Sequence, residues 1–170
     1  LEMARDVAGR FNNQMGDTLI EPQAKIQEGT MYVPGTDGEK MSKSRDNLIN
    51  IFLPEKQLKK QVMSIETDST PLEEPKDPDT CNVFAIYKLL ATAQQTAEMR
   101  SNYEAGNYGY GHAKKALLEL ILSRFSETRE RFEHFMSNKH EIDAALNEGA
   151  AKAKLVADDV LARVREKLGY

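Results

Sequence analysis

Leu1, Ala4, Val7, Ala8 and Phe11 recur at the three-and-four spacing that puts side chains on one face of an α-helix, with Glu2, Arg5, Asp6 and Arg10 opposite. The chain therefore opens inside a helix, with no capping residue ahead of it. From residue 12 to residue 47 the helical period disappears. Short β-prone pieces at 18–20 and 31–33 alternate with breakers at Gly16, Pro22, Gly29, Pro34, Gly35 and Gly38. Residues 34–47 read as a long polar loop, and 48–52 as a short apolar run. Pro54 then suits the first turn of a helix through Leu58, Val62 and Met63.

Residues 66–80 hold Pro71, Pro75 and Pro78 and predict an irregular connection. Beyond it the pattern is helical throughout. Val83, Ile86, Tyr87 and Leu90 form one stripe, and Ala97, Met99 and Tyr103 a second. Gly106, Gly109 and Gly111 interrupt. One long helix is predicted next, with Ala113, Leu117, Leu120, Ile121, Phe125, Phe132 and Phe135 as its apolar face. A short helix follows around Ile142, Ala145 and Leu146. The last helix is predicted at about 150–168, with Ala153, Val156, Ala157, Val160, Leu161 and Val164 inward and Gly169 past its end.

Composition narrows this picture. The 170 residues are 40% hydrophobic and 29% charged, which is the make-up of a globular chain and not of a disordered one. No apolar run approaches the roughly 18 residues of a membrane span. With 23 Lys+Arg against 27 Asp+Glu the net charge is −4, which argues against a strong nonspecific nucleic-acid binder but leaves room for a local basic track. The single cysteine, Cys81, excludes an internal disulfide and fits a reducing compartment.

The residues that point to chemistry are Lys40-Met41-Ser42-Lys43-Ser44. Two lysines three apart on a glycine-flanked loop give two ammonium groups that can face one polyphosphate. The serine hydroxyls and the loop N–H groups can donate to the same oxygens. Such a set stabilises charge developing on a leaving pyrophosphate, and glycines let the loop open and close.

Other polar groups read as bland. His112, His134 and His140 lack metal-ligand spacing with Cys81 or with each other. Cys81, with no neighbouring Lys or Arg, reads as a small residue at a helix start. Glu73, Glu74, Asp77 and Asp79, spaced by prolines, read as a solvated linker. Lys56, Lys59, Lys60 and Gln61, and likewise Arg124, Arg129 and Arg131, can reach RNA phosphates or simply form wet helix faces.

The string at 40–44 is the signature of class I aminoacyl-tRNA synthetases. With Gly38 and Glu39 before it and Arg45, Asp46, Asn47, Leu48 and Ile49 after it, the segment resembles the loop of the bacterial tryptophanyl-tRNA synthetases. Four other stretches agree with that family. They are Leu1 to Asp6 with Arg10-Phe11-Asn12; Met63 to Ser69; Tyr103-Glu104 with Gly109-Tyr110-Gly111 and Lys114; and Glu148 to Ala153 continuing through Val164-Arg165 and Leu168-Gly169.

The resemblance implies a mostly α chain. Residues 1–52 would be the C-terminal edge of a Rossmann-like α/β nucleotide-binding domain, and 53–170 an all-helical anticodon-binding bundle. It implies ATP as substrate, with Mg2+ carried by the nucleotide, contacted by Lys40, Met41, Ser42, Lys43 and Ser44. Lys40 and Lys43 would bind the departing pyrophosphate. The backbone around Met41 would lie near the adenine, with an aliphatic residue before the loop, Val33 or alternatively Met31. Implied partners are tRNA(Trp) and L-tryptophan, with a homodimer for the full-length enzyme, no membrane and a cytoplasmic location. The class's His-x-Gly-His and the family's Gly-x-Asp-Gln are absent from these residues. The chain is therefore expected to be the C-terminal portion of a tryptophan–tRNA ligase, inactive alone. The alternative expectation is a free-standing helical RNA-binding or regulatory module that keeps the loop as a relic.

Overall fold

The computed structural model describes residues 1–25 and 32–170. Seven α-helices account for most of it: α1 (Glu2–Met15), α2 (Glu55–Met63), α3 (Asn82–Leu90), α4 (Ala93–Ala105), α5 (Tyr110–Arg124), α6 (Ser126–Ser137) and α7 (Lys139–Leu168). Two short 3-10 turns lie at Lys43–Arg45 and Pro78–Thr80. The described residues form two compact units, one from Leu1–Ile26 with Phe135–Tyr170, the other from Gln27–His134.

The second unit carries the core. Leu58 and Val62 of α2, Val83, Phe84, Ile86 and Tyr87 of α3, Met99 and Tyr103 of α4, and Ala113, Leu117, Leu118 and Ile121 of α5 are all buried together. The four-residue steps 58–62, 83–87, 99–103 and 113–117–121 are what let each helix turn one continuous stripe inward. Tyr103 sits at the centre, 1% exposed, with the rings of Phe84, Tyr108 and Tyr110 at 5.8, 5.8 and 6.1 Å between centroids. Its hydroxyl lies 3.3 Å from the Cys81 thiol, and burial pushes the phenol's pKa up. Cys81 is buried at the N-cap of α3, which is the small helix-start role expected of it.

Two devices join elements in this unit. Lys114 Nζ of α5 donates to the Met63 carbonyl at the end of α2 (3.1 Å), and burial lowers the pKa of its ammonium. Lys76, 4% exposed, donates from Nζ to the carbonyls of Pro71, Leu72 and Glu74 at 2.7, 3.3 and 3.0 Å, while its backbone N–H reaches Tyr103 O at 2.8 Å. The proline-rich connection is irregular, as its composition predicts, but one buried cation organises it. α4 starts with a capping box, Thr92 and Gln95 each bonding the other's backbone N–H.

The other unit has much less buried surface. In α1 only Ala8 is buried, while Leu1 and Val7 of the predicted apolar stripe are 59% and 65% exposed. Asn12 folds the following chain back on α1, accepting from the N–H groups of Thr18 and Leu19 and donating to Leu19 O at 2.7 Å. Arg163 of α7 donates to Thr18 O at 3.0 Å.

Four expectations are corrected. The long helix after Gly109 is two helices, because Phe125 leaves helical geometry (φ −106°, ψ 13°) and Ser126 Oγ bonds back to Ser123 O, competing with the ladder. α6 then carries Phe132 onto Phe52, ring centroids 4.5 Å apart. Conversely, the separate helices expected around 142–146 and 150–168 are one 30-residue helix that runs through Gly149, whose penalty of about 1 kcal/mol is spread over a long ladder. Val156 and Leu161, expected inward, are 68% and 44% exposed. Finally, residues 18–20 form no strand, and at Val33 the backbone is irregular. The one β feature among the described residues is an isolated antiparallel bridge, Pro34 to Lys40. Met31 lies outside the described residues.

Candidate active-site loop

The loop at 34–47 is held by its own backbone before any side chain is considered. Met41 N–H bonds Val33 O (2.8 Å), Gly35 N–H bonds Glu39 O (2.7 Å) and Gly38 N–H bonds Gly35 O (3.1 Å), closing a tight reversal around residues 35–39. Gly38 has φ +78°, and an added Cβ would fall 2.5 Å from Asn82 Oδ1, so glycine is needed there for both conformation and space. Thr36 joins the reversal to the connection after α2, its carbonyl accepting from Glu66 N–H at 2.7 Å. The signature string leaves this base in extended geometry at Ser42, makes one 3-10 turn at Lys43–Arg45 and exits through Asp46 in the left-handed region (φ 54°).

The predicted site residues fall in two groups. Lys40, Lys43 and Ser44 are exposed. Ser42 and Ser44 hydroxyls lie 2.8 Å apart. The loop's ion pair is Arg45 with Glu39 at 3.9 Å; among the described residues neither Lys40 nor Lys43 has a carboxylate partner. Both ammonium groups are thus available to an anion. Val33 and Met41 point elsewhere: with Ile49, Ile51, Ile86 and Ile121 they line an apolar hollow of about 160 Å³. A wider hollow of about 470 Å³ beside the loop is lined by Thr36, Asp46, Leu48, Lys60, Gln61 and Ser64.

The chemistry this permits is specific. Two exposed cations and a mutually bonded pair of hydroxyls on a braced backbone can meet an anionic group, while the recess lined by Val33 and Met41 can take an apolar one.

A profile for the "tRNA synthetases class I (W and Y)" matches residues 1–126. The chain belongs to this family. The class I synthetase signature therefore sits in a family member and not in a chance basic turn. The chain is 46% identical over 170 residues to a tryptophan–tRNA ligase of Fusobacterium nucleatum, covering 99% of this chain and 52% of that one. It is 43% identical over 169 residues to the same-named protein of Campylobacter jejuni, covering 99% and 53%. A crystal structure of the Campylobacter jejuni tryptophanyl-tRNA synthetase complexed with ADP and tryptophan matches with a TM-score of 0.86 at 43% identity, over 99% of this chain and 53% of that one. The similarity read from the signature and its surroundings thus holds on the tryptophan side of the family. The chain spans about half the length of the curated relatives it matches.

Other candidates sort by geometry. Lys56, Lys59 and Lys60 are exposed on α2, and Arg124 and Arg131 are exposed as well. Arg129 is different. Its guanidinium donates to Ile51 O and to Leu53 O (the latter 2.9 Å), so it ties α6 to the segment after the loop instead of facing a phosphate. His112 packs beside Tyr108, and among the described residues no group of His, Cys, Asp and Glu is placed to hold a metal. Among the described residues no helix is long and apolar enough to cross a membrane. Of the acidic linker residues, Asp79 is paired with Arg100 at 2.6 and 3.0 Å, so it is an anchor as well as a solvated charge.

The residue that sequence reasoning passed over is Asn47. It is 2% exposed, the most buried polar side chain of the loop. Its visible signals were its membership of the segment that resembles the family's loop and its place immediately after a charged loop and before an apolar run, where an amide can be drawn inward with the chain.

Proposed function

We propose that this chain is part of a tryptophan–tRNA ligase and supplies the loop that grips ATP while the tryptophanyl adenylate forms and pyrophosphate departs. The observation that carries the reading is the presence of exposed Lys40 and Lys43, with no carboxylate partner among the described residues, and of the Val33–Met41 recess on a single braced loop. In this reading Lys40 and Lys43 contact the β- and γ-phosphates, Ser42 and Ser44 donate to the same oxygens, and Val33 and Met41 border the adenine. Any Mg2+ arrives with the nucleotide. Because the lysines' charge matters most as negative charge builds on the leaving group, they contribute more to rate than to ground-state binding.

Residues 1–52 serve as the C-terminal edge of a Rossmann-like nucleotide-binding domain, and 53–170 as the helical domain that holds the tRNA(Trp) anticodon. The full-length protein works in the cytoplasm as a homodimer and uses L-tryptophan. No observation favours a free-standing RNA-binding module with a relic loop.

The test is tryptophan-dependent ATP–pyrophosphate exchange by the full-length gene product that carries these residues. Lys43→Ala should lower kcat for exchange about 100-fold while tryptophan affinity changes less than about threefold. Equal losses in rate and in tryptophan binding would remove Lys43 from the pyrophosphate. Absence of exchange in the unsubstituted protein would overturn the functional reading itself.

A further inference from the structure

The signature loop spends a buried amide on its own backbone. Asn47 Oδ1 accepts the Ser42 N–H at 2.8 Å, and Nδ2 donates to the Asp37 carboxylate at 2.7 Å and to the Lys40 carbonyl at 3.2 Å. One partner is a donor and two are acceptors, so only this orientation of the amide satisfies all three, and only an amide can do so. Asp37 Oδ1 is shared, since it also accepts Glu39 N–H at 3.0 Å. The Asn47 carbonyl takes Thr36 N–H at 3.0 Å. Gly35 closes the remaining space: a Cβ there would fall 2.4 Å from Asn47 Cγ and Nδ2 and 2.6 Å from its carbonyl oxygen. The Asn47 hydrogen bond is the largest cause holding the Asp37 carboxyl below its ordinary range. Asn47 thus bonds the backbone at two of the five signature positions, Lys40 and Ser42, and joins them to the far side of the reversal.

We infer that Asn47, held by Asp37, is the positioning residue of the signature loop, fixing the backbone at Lys40 and Ser42 so that the Lys40 and Lys43 ammonium groups meet the polyphosphate from a rigid base. The inference rests on the reading above for what the lysines bind, but not for the clasp itself. A lysine carries a four-carbon flexible stem. If the backbone beneath it is also free, the ordering cost is met when substrate binds or when the transition state forms. A clasp that has already ordered residues 40–42 removes that cost, and its loss should appear in kcat more than in KM for tryptophan.

The experiment uses the full-length protein and two readouts on each variant. The first is tryptophan-dependent ATP–pyrophosphate exchange. The second is the rate of trypsin nicking after Lys40, Lys43 and Arg45, all exposed, which reports loop freedom with no reference to activity. Asn47→Ala should lower kcat about 10- to 100-fold, with KM for tryptophan little changed, and speed nicking at least about fivefold. Asn47→Asp sets a carboxylate against Asp37. Two carboxylates in contact favour sharing one proton, which restores a donor between them. Its kcat relative to the unsubstituted protein should therefore rise as pH falls from 8 towards 5, a recovery that a purely structural defect would not show.

Pairing Asn47→Asp with Asp37→Asn returns an amide donor between the two side chains but leaves the Lys40 carbonyl without one, so it should recover part of the loss at pH 8. Asp37→Ala, at a partly exposed position, serves as the milder variant should Asn47→Ala fail to fold, and should show the same pattern at smaller amplitude. Unchanged nicking in Asn47→Ala or Asp37→Ala overturns the clasp. Faster nicking with kcat changed less than twofold overturns the positioning role. A pH-independent Asn47→Asp deficit that the paired substitution does not rescue overturns the Asp37 contact as its cause. Should the unsubstituted protein show no exchange, the functional reading fails, and nicking still decides the clasp.

Discussion

Lys76→Met tests whether the proline-rich connection is organised by a buried cation. Lys76 is 4% exposed, and its Nζ faces three carbonyls at 2.7–3.3 Å and the Tyr110 ring at 5.5 Å from the centroid. Met keeps nearly the same length and removes only the charge and its donors. Hydrogen bonds to a charged group contribute roughly 1.5–3 kcal/mol each net of solvation, so three would contribute at most about 4.5–9 kcal/mol if they were additive. They are not additive, because a single ammonium supplies all three and its desolvation, which Met does not incur, is shared among them. The Pro71, Leu72 and Glu74 residues are themselves exposed, so water can partly replace the lost donor. The balance is a loss of about 2 kcal/mol.

Urea unfolding followed by tyrosine emission reads this directly, because the chain has six tyrosines and no tryptophan, and Tyr103 and Tyr110 border the site. A lowered midpoint with an unchanged slope is the expected result. A Lys76→Met protein as stable as the parent would show that desolvation cancels the three bonds, and that Lys76 is tolerated rather than stabilising.

Further outcomes follow from the core and from the charge pairs. Leu117→Ala removes a fully buried side chain where α5 meets α2 and α3 and should cost about 2–5 kcal/mol in urea unfolding; a cost below about 1 kcal/mol would mean the core collapses to fill the space. Asp79 has its carboxyl pKa lowered first by the Arg100 hydrogen bond. A depressed folded pKa stabilises above the unfolded value near 4, with the benefit lost as pH falls through the folded value. The Tm gap between the parent and Asp79→Asn should therefore be open at pH 6 and narrow as pH falls below the unfolded value near 4, and a gap that stays constant into acid would deny the pair its role.

The helices of the core were legible because burial is periodic. Leu58, Val62, Val83, Ile86, Tyr87, Ala113, Leu117 and Ile121 recur every three or four residues, and all are buried. The same rule failed at the ends of the chain. Leu1, Val7, Val156 and Leu161 keep the period yet stand exposed. Periodicity reports which face of a helix is apolar, not what covers it. The break at Phe125 and the continuity through Gly149 were unreadable for a related reason: each turns on a few tenths to one kcal/mol of local preference, which packing overrides.

By itself the sequence determined the local matters: helix phase, the irregular proline-rich connection, the lone Cys81 at a helix start and the residue string that can face a polyphosphate. All of these depend on neighbours within a turn or two. Only the tertiary structure decided which polar groups are spent internally. Arg129 and Lys76 look like surface cations in the sequence but donate to backbone carbonyls, whereas Lys40 and Lys43 have no carboxylate partner among the described residues. Asn47 looks like a loop residue and is the buried joint of the loop. Hydrogen-bond satisfaction is set by what the fold brings within 3 Å, and that is a property of the folded chain rather than of its spacing.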